Sequence, residues 1–425
     1  MMKGPVHGIV ERNIVRLVDG MIGTGTLIAT LPGGKTFRFG PGGEPTVALT
    51  IHDRRALMSI IVHPDPAFPE AYMDGRVTIE HGDLLDFFQL LAPIERPATY
   101  PIPARMMRYA RFAARRLSQW NGLSASLRNV KKHYDLSPAM YRRFLDADMQ
   151  YSCAYFQNPD LSLEEAQIAK KRHIAAKLMI EPSMNVLDIG CGWGGMALTL
   201  ADECGADVTG VTLSEEQLAV ARDRVAGRQD VRFELRDYRT LDRTYDRIVS
   251  VGMFEHVGIR NYGTFFRKAH DLLARDGVML LHTIGRSEPP NVTSGFIHKY
   301  IFPGGYIPAL SEVSSAIERA GLTITDVEIL TTHYGDTLAE WRKRFHAARD
   351  AVLDEYDERF FRMWDLYLAA SEAAFRYYNM VVFQIQIVRD KTVVPMSRDY
   401  IGQRERELSR AAGTQSRYDV SSAAE

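Results

Sequence analysis

The fold of this sequence is decided by Val186-Leu-Asp-Ile-Gly190-Cys-Gly192-Trp-Gly194-Gly195, an apolar run that ends in a cluster of glycines. The run predicts a buried strand, and the glycines predict a sharp turn in which the backbone approaches a ligand before a helix begins. A P-loop would continue with Gly-Lys-Ser/Thr, but Met196 follows here. By itself this turn, 190–195, which we call the glycine loop, is also compatible with a purely structural role.

Strands and helices alternate on both sides of the glycine loop. A capping box, Ser162-Leu-Glu-Glu165, predicts a helix that runs to about Leu178. Strand-like runs lie at 185–189, 207–211, 231–235, 247–251 and 278–282, and helical patterns such as 215–225 and 262–273 separate most of them. This alternation predicts an α/β fold with a Rossmann-like, doubly wound and mostly parallel sheet that helices cover on both faces.

Polar residues follow the next two strands of the predicted sheet. The segment Gly210-Val-Thr-Leu-Ser214 runs into Glu215-Glu-Gln217, which predicts a second capping box with Ser214 at the N-cap and Gln217 three residues later. Asp237 comes just after the strand at 231–235. Ligands of open α/β sheets bind beyond the carboxyl ends of the strands, so we expect these residues to meet the glycine loop. For Asp237, capping of a turn is the alternative.

Composition narrows the class of protein. The chain has 425 residues, which predicts two domains, and its 52 Lys and Arg balance 53 Asp and Glu to a net charge of −1. That balance argues against a general attraction to nucleic acid. The sequence contains no apolar run of spanning length and no signal-peptide pattern, and its three cysteines have neither disulfide-type nor metal-type spacing. We expect a cytoplasmic protein whose membrane contact is peripheral, with no metal site.

The regions before and after the predicted sheet differ from it. Short β-like runs bounded by Gly and Pro, with helical patterns at 53–62 and 81–91, predict a small α+β domain at 1–103. The catalytic domain is placed at 133–395, and 396–425 is predicted to be a disordered tail. Between the domains, 104–132 is predicted to be a basic amphipathic helix, because 105–132 holds eight basic and no acidic residues. It suits an anionic membrane surface; a helix packed on the protein is the alternative.

Several linked motifs resemble one family. The glycine loop is similar to the S-adenosylmethionine site of class I methyltransferases, and the neighbouring motifs resemble the cyclopropane-fatty-acyl-phospholipid synthase family, which includes mycolic acid cyclopropane synthases. These motifs are His133-Tyr-Asp-Leu136, Tyr151-Ser-Cys-Ala-Tyr-Phe156, Gly210-Val-Thr-Leu-Ser-Glu-Glu-Gln217, Met253-Phe-Glu-His-Val-Gly258 and His333-Tyr334. The resemblance covers roughly 125–395. The first hundred residues resemble, more weakly, the lipid-associated N-terminal domain of longer bacterial members.

The resemblance implies two sets of site residues. The S-adenosylmethionine contacts would be Tyr151, Ser152, Gly190, Gly192, Gly194, Thr212, Leu213 and Gln217, with Asp237 on the adenine amino group. A bound bicarbonate ion would be held by Cys153, Glu255, His282, the backbone of Ile284, and Tyr334. Without the resemblance, Cys153 would be interpreted as a small buried side chain and His282 as a core histidine. We expect Glu255 to orient the hydroxyl group of the bicarbonate, because two anions otherwise repel each other.

The same resemblance implies the reaction. A methylene group would pass from S-adenosylmethionine to the cis double bond of an unsaturated acyl chain in a membrane phospholipid, through a carbocation that bicarbonate deprotonates. A relative that adds a methyl branch without closing a ring is the alternative. A nucleic-acid methyltransferase is disfavoured, since Glu288-Pro-Pro-Asn291 only approaches the usual Asn/Asp-Pro-Pro-aromatic loop. A non-catalytic lipid-binding protein is disfavoured by the intact motifs. The resemblance also implies a possible homodimer.

Overall fold

The computed structural model describes residues 19–92 and 137–422, with side chains up to residue 411. The predicted basic helix at 104–132 lies outside the described residues. The strands are β1 (Gly25–Thr30), β2 (Thr36–Gly42), β3 (Thr46–Ile51), β4 (Val77–His81), β5 (Asn185–Ile189), β6 (Asp207–Thr212), β7 (Val231–Leu235), β8 (Tyr245–Val251), β9 (Leu273–Arg286), β10 (Thr323–Leu330) and β11 (Met380–Val388).

The helices occupy most of the remaining described residues. They are α1 (Arg54–Val62), α2 (Pro64–Met73), α3 (Leu84–Leu91), α4 (Pro138–Arg142), α5 (Leu163–Leu178), α6 (Gly195–Cys204), α7 (Glu215–Arg224), α8 (Tyr262–Leu272), α9 (Leu310–Arg319), α10 (His333–Ala347), α11 (Arg349–Leu353), α12 (Glu358–Arg376) and α13 (Asp399–Ser422). No helix among the described residues is long and apolar enough to cross a membrane.

The described chain divides into two compact units. The first unit joins 19–92 with 292–301 and 341–379, and the second joins 137–291, 302–340 and 380–422. Polar contacts distant in sequence explain why the later segments join the first unit: Asp65 accepts hydrogen bonds from Gly295 N (2.6 Å) and Phe296 N (2.9 Å), and Arg342 pairs with Asp83 (3.0 Å). The predicted catalytic domain at 133–395 includes both of these later segments.

The first unit contains a small sheet of strand order β2-β1-β3-β4. β1 is antiparallel to β2 and parallel to β3, and β4 is antiparallel to β3. The apolar face of the sheet is buried with residues such as Val47, Val77 and Leu90. The predicted helix at 81–91 begins only at Leu84, because β4 extends to His81 and Asp83 caps the helix. An α+β arrangement is therefore present in this unit.

The second unit contains a sheet of order β10-β11-β9-β8-β5-β6-β7. Strands β7, β6, β5, β8 and β9 are parallel, and β11 is antiparallel to both β9 and β10. The predicted α/β fold with a mostly parallel sheet is confirmed. The chain leaves β5 towards β6 on one side and returns to β8 on the other, so the switch point lies at the end of β5. The glycine loop begins at this point.

Two local predictions at helix ends have clear outcomes. The capping box of α5 is confirmed: Ser162 Oγ accepts from Glu165 N (3.3 Å), and Glu165 Oε2 accepts from Ser162 N (2.9 Å). The tail prediction is corrected, because residues 399–422 form α13, and the side chains of Ile401 and Leu408 in it are buried. Within the part of α13 whose side chains are described, these two residues are seven positions apart, which places them on one face of the helix.

Candidate active site

A pocket lies at the carboxyl ends of β5, β6, β7 and β8, at the switch point of the sheet. Most of the predicted S-adenosylmethionine contacts line it, namely Tyr151, Ser152, Gly190, Gly192, Thr212, Leu213, Gln217 and Asp237. Gly194 does not: it precedes α6, and a Cβ added to it would lie 2.6 Å from the ring of Phe233. A glycine is needed at this position because the start of α6 packs closely against Phe233. The spacing of glycines in the sequence does not distinguish this packing role from a ligand contact.

Glycine is required at positions 190 and 192 of the loop for different structural reasons. Gly190 has φ +83°, and an added Cβ would lie 2.7 Å from Cβ of Met253. Gly192 has φ +54°, and no atom lies within 4 Å of the corresponding position. A side chain at Gly190 would collide with the protein, whereas one at Gly192 would extend into open space beside the pocket. The backbone at Gly192 is thus free to lie against a ligand.

The second predicted segment is ordered by its own hydrogen bonds. Ser214 caps α7, since its Oγ accepts from Gln217 N (3.2 Å). The reciprocal half of the predicted capping box does not form, because Gln217 Oε1 instead accepts from Thr212 Oγ1 (3.0 Å). This bond turns the side chain of Gln217 towards the pocket and leaves its amide nitrogen as the group that can donate to a ligand.

Asp237 lines the pocket and also caps a turn. Its Oδ1 accepts from Arg239 N (2.9 Å), and its Oδ2 pairs with Arg239 Nη2 (2.6 Å). The structural alternative raised from the sequence is therefore present. Each carboxylate oxygen can accept more than one hydrogen bond, so the contacts to Arg239 leave Asp237 able to accept from a ligand.

Sequence reasoning missed Asp188, which lines the same pocket at the end of β5. The residue is 1 % exposed, and its Oδ2 has no hydrogen-bond partner among the described residues. Burial raises the pKa of Asp188 to about 7, although Lys170 opposes the shift. A buried carboxylate without a partner favours a cationic ligand beside it. An acidic residue two positions before the first glycine of the loop was the available signal.

Lys170 of α5 is a second residue that the sequence did not single out. Its fully buried ammonium donates to Gln150 Oε1 (2.6 Å) and to Ser152 Oγ (2.8 Å). Burial lowers the pKa of Lys170 to about 8. These bonds fix the segment that carries Tyr151 and Ser152 at the wall of the pocket.

Glu255 follows the end of β8, and His282 lies in the neighbouring parallel strand β9. His282 is opposite Val251, the last residue of β8, and Glu255 follows four residues later. Both side chains are buried, and burial raises the pKa of Glu255 and holds the pKa of His282 well below its ordinary value. Two of their atoms, Glu255 Oε2 and His282 Nε2, are buried without a partner among the described residues.

The backbone N–H of Ile284 has a partner that the prediction did not include. It donates to Glu255 Oε1 at 2.6 Å, so it orients the carboxylate, and this bond is formed in the protein itself. A direct contact of the Ile284 backbone with the anion stays a prediction. The resemblance identified Ile284 but could not show which group accepts the hydrogen bond from its backbone N–H.

The start of α10, which carries Tyr334, is joined by hydrogen bonds to the segment that follows Cys153. Ala154 N donates to Thr337 Oγ1 (3.0 Å) and Phe156 N donates to His333 Nδ1 (3.1 Å), which fixes the segment after Cys153 against the helix turn that carries Tyr334. Cys153 is 1 % exposed, and burial raises the pKa of its thiol well above the usual range. Such a thiol stays protonated, and its S–H donates to Ala154 O (3.2 Å), so it is a poor nucleophile.

The family assignment follows from the sequence match. Residues 122–385, more than half of the chain, match the family described as Mycolic acid cyclopropane synthetase. The chain belongs to this family. The family resemblance that the motifs indicated is confirmed. The predicted fold, that of the class I S-adenosylmethionine-dependent methyltransferases, is confirmed as well.

Named relatives agree with this assignment. The cyclopropane-fatty-acyl-phospholipid synthase of Escherichia coli (strain K12) is 40% identical over 320 residues, which cover 75% of this chain and 82% of that protein. The "Probable fatty acid methyltransferase" of Pseudomonas putida is 39% identical over 270 residues, 61% of this chain and 68% of that protein. A crystal structure of mycolic acid cyclopropane synthase CmaA1 complexed with SAH and CTAB has a TM-score of 0.59 and 36% identity, and covers 61% of this chain and 97% of that one.

Proposed function

We propose that this protein binds S-adenosylmethionine in the pocket of the glycine loop. Two observations support the fit. The open space beside Gly192 lets the backbone lie against a ligand, and the buried Oδ2 of Asp188 can take a cationic partner. S-adenosylmethionine carries an ammonium and a sulfonium group, either of which would favour the charged form of Asp188. In this proposal, Gln217 and Asp237 contact the nucleoside part.

We further propose that the protein is a cyclopropane-fatty-acyl-phospholipid synthase. The methyl donor, when bound, supplies an electrophilic methyl group to the cis double bond of an acyl chain, which leaves a carbocation on that chain. Closing the ring requires removal of a proton from the methyl group just delivered. A thiol nucleophile at Cys153 is disfavoured by its raised pKa, so we place the methyl transfer directly on the alkene.

A base is then needed close to the delivered methyl, and we propose that bicarbonate serves as this base. The carrying observation is the pair of buried atoms Glu255 Oε2 and His282 Nε2, which lack partners among the described residues. Bicarbonate has both a hydroxyl donor and acceptor oxygens, so its hydroxyl can donate to Glu255 while an oxygen accepts from His282. The bond from Ile284 N holds Glu255 in position for this role.

The alternative is a fatty-acyl methyltransferase that adds a branch without closing the ring; the Pseudomonas putida relative carries the name "Probable fatty acid methyltransferase". Both activities would need the donor pocket and a base for the carbocation. Cyclisation needs that base at the delivered methyl, whereas a branched alkene forms when a proton leaves a chain carbon beside the cation. The paired unsatisfied atoms of Glu255 and His282 favour cyclisation.

The test is an assay of purified protein with S-adenosylmethionine, bicarbonate and liposomes of cis-monounsaturated phospholipid, with the acyl chains examined by mass spectrometry and proton NMR. We expect a mass gain of one methylene, loss of alkene protons and new upfield ring protons. Retained alkene or branched-methyl signals would transfer the assignment to the alternative. The variant Glu255→Gln should abolish or strongly reduce the product while it still binds the methyl donor.

For substrate access we propose peripheral association with an anionic membrane surface. Phospholipid acyl chains lie in the bilayer, and the segment 105–132 carries eight basic residues and no acidic one. Charge reversal of the arginines Arg108, Arg111, Arg115 and Arg116 should weaken sedimentation with anionic liposomes, most strongly at low salt. Unchanged sedimentation would contradict this association.

A further inference from the structure

A buried glutamine lies beside His282 on the neighbouring strand of the sheet. Gln384 of β11 stands directly opposite His282 in the antiparallel pairing with β9, and its side-chain amide lies 3.2 Å from His282 Nδ1. Both residues are almost completely buried. An amide can either donate its N–H to the imidazole or accept a proton from it, and the two arrangements place the proton of a neutral histidine on opposite ring nitrogens.

Lys177 of α5 selects between the two arrangements. Its Nζ lies 2.9 Å from Gln384 Oε1, and an ammonium group can only donate. The oxygen of the amide therefore faces Lys177, and its nitrogen faces His282. Because the amide nitrogen is a donor, Nδ1 of His282 must be the acceptor. The proton of the neutral imidazole then lies on Nε2.

The position of Lys177 is itself fixed by a buried network. Its ammonium pairs with Glu328 of β10, and Glu328 also pairs with His173 Nε2 (2.7 Å). His173 Nδ1 in turn contacts Glu405 of α13 at 2.5 Å. The network thus runs from α13 through α5 and β10 to Gln384. A polar network so fully partnered holds one arrangement of its members.

We propose that Gln384, oriented by Lys177, is a positioning residue that fixes the proton of His282 on Nε2, so that this nitrogen donates a hydrogen bond to the oxyanion at the active site. The identity of that oxyanion as bicarbonate rests on the proposed function. The tautomer itself does not, since it follows from the contacts of Gln384 alone. Burial keeps His282 neutral, which is the state in which the choice of tautomer matters.

The direct test is nitrogen NMR of the full-length protein labelled with 15N-histidine, in which His282 is assigned among the 12 histidines by comparison with a His282→Gln sample. The protein is examined with and without S-adenosylmethionine. We expect a protonated Nε2 and an unprotonated Nδ1 in the wild type. A proton on Nδ1 in the wild type would overturn the proposal.

The variant Gln384→Glu replaces the hydrogen-bond donor that faces His282 Nδ1 with an acceptor. A carboxylate can still accept from Lys177, but towards His282 it can also only accept. We expect Nδ1 to become protonated. The control is Gln89→Glu, which makes the same change of amide to carboxylate at a half-buried position of α3 in the first unit. The control should leave the nitrogen signals of His282 as in the wild type.

Activity then separates this proposal from the bicarbonate assignment. Loss of a hydrogen bond to a charged group predicts that Gln384→Glu needs about 10-fold more bicarbonate for half-maximal rate, while its affinity for S-adenosylmethionine stays unchanged. Gln89→Glu should not change the bicarbonate requirement. If the tautomers change as expected but the bicarbonate requirement does not, the anion site is refuted and the role of Gln384 in setting the tautomer stands. Equal nitrogen signals in the wild type and Gln384→Glu would refute the positioning role.

Discussion

Asp188→Asn tests the donor pocket through the pH dependence of folding. In the native state burial raises the pKa of Asp188 from 3.8 to about 7. The native state therefore binds more protons than the unfolded state between these values, and stability falls as pH rises through this window. At about 1.4 kcal/mol per pKa unit, the full cost of ionising Asp188 is about 4 kcal/mol, and about 2 kcal/mol of it appears between pH 5.5 and pH 8.

The assay is urea unfolding of the wild type and the variant across that pH range without ligand. The wild type should lose about 2 kcal/mol more than Asp188→Asn between pH 5.5 and pH 8. The control Asp271→Asn removes a carboxylate whose side chain is 69% exposed, and it should keep the pH slope of the wild type. An equal slope in the wild type and Asp188→Asn would refute the assignment of this cost to Asp188.

The same variant also tests the ligand. A cation bound beside Asp188 offsets the cost of its charge, so S-adenosylmethionine should stabilise the wild type more than Asp188→Asn. The measurement is the shift in melting temperature at saturating ligand and pH 8. Equal shifts in the two proteins would contradict a contact between the charged part of the ligand and Asp188.

Three further predictions concern the loop, the base and a helix start. Gly192→Ala should weaken S-adenosylmethionine binding, measured by calorimetry, whereas Gly227→Ala, which also has positive φ and open space at its Cβ, should not; equal affinities would contradict the placement of Gly192. Glu255→Gln should lose bicarbonate-dependent activity without loss of thermal stability at pH 8, because burial disfavours the charge of Glu255; a lower melting temperature would contradict this. Ser162→Ala should lower the free energy of unfolding by about 1 kcal/mol, and no change would refute its capping role.

Much of the fold was predictable because it depends on patterns within short segments of the sequence. The strand at 185–189, the glycine loop and the cap at Ser162 depend on short runs of residues, and the structure places them as predicted. The division into units was not predictable in the same way. It depends on pairs such as Asp65 with Gly295, which lie far apart in sequence and leave no periodic signal.

The site shows the same distinction. The resemblance identified Glu255 and His282, but it did not indicate that Ile284 N donates to Glu255 or that Gln384 contacts His282. These contacts depend on which strand lies beside β9. That strand is β11, which is separated from β9 in the sequence by residues 287–379. A buried glutamine in an apolar strand, as in Met380–Val388, was the available signal.

The most direct test of the central claim is the fate of the methyl hydrogens. Wild-type protein is incubated with S-adenosylmethionine carrying a fully deuterated methyl group, bicarbonate and cis-monounsaturated phospholipid, and the products are examined by mass spectrometry and NMR. Ring closure removes one of the three deuterons, so we predict a cyclopropane that retains two and whose yield falls when bicarbonate is removed. A product that retains all three in a methyl branch would contradict cyclisation and the role proposed for Glu255 and His282.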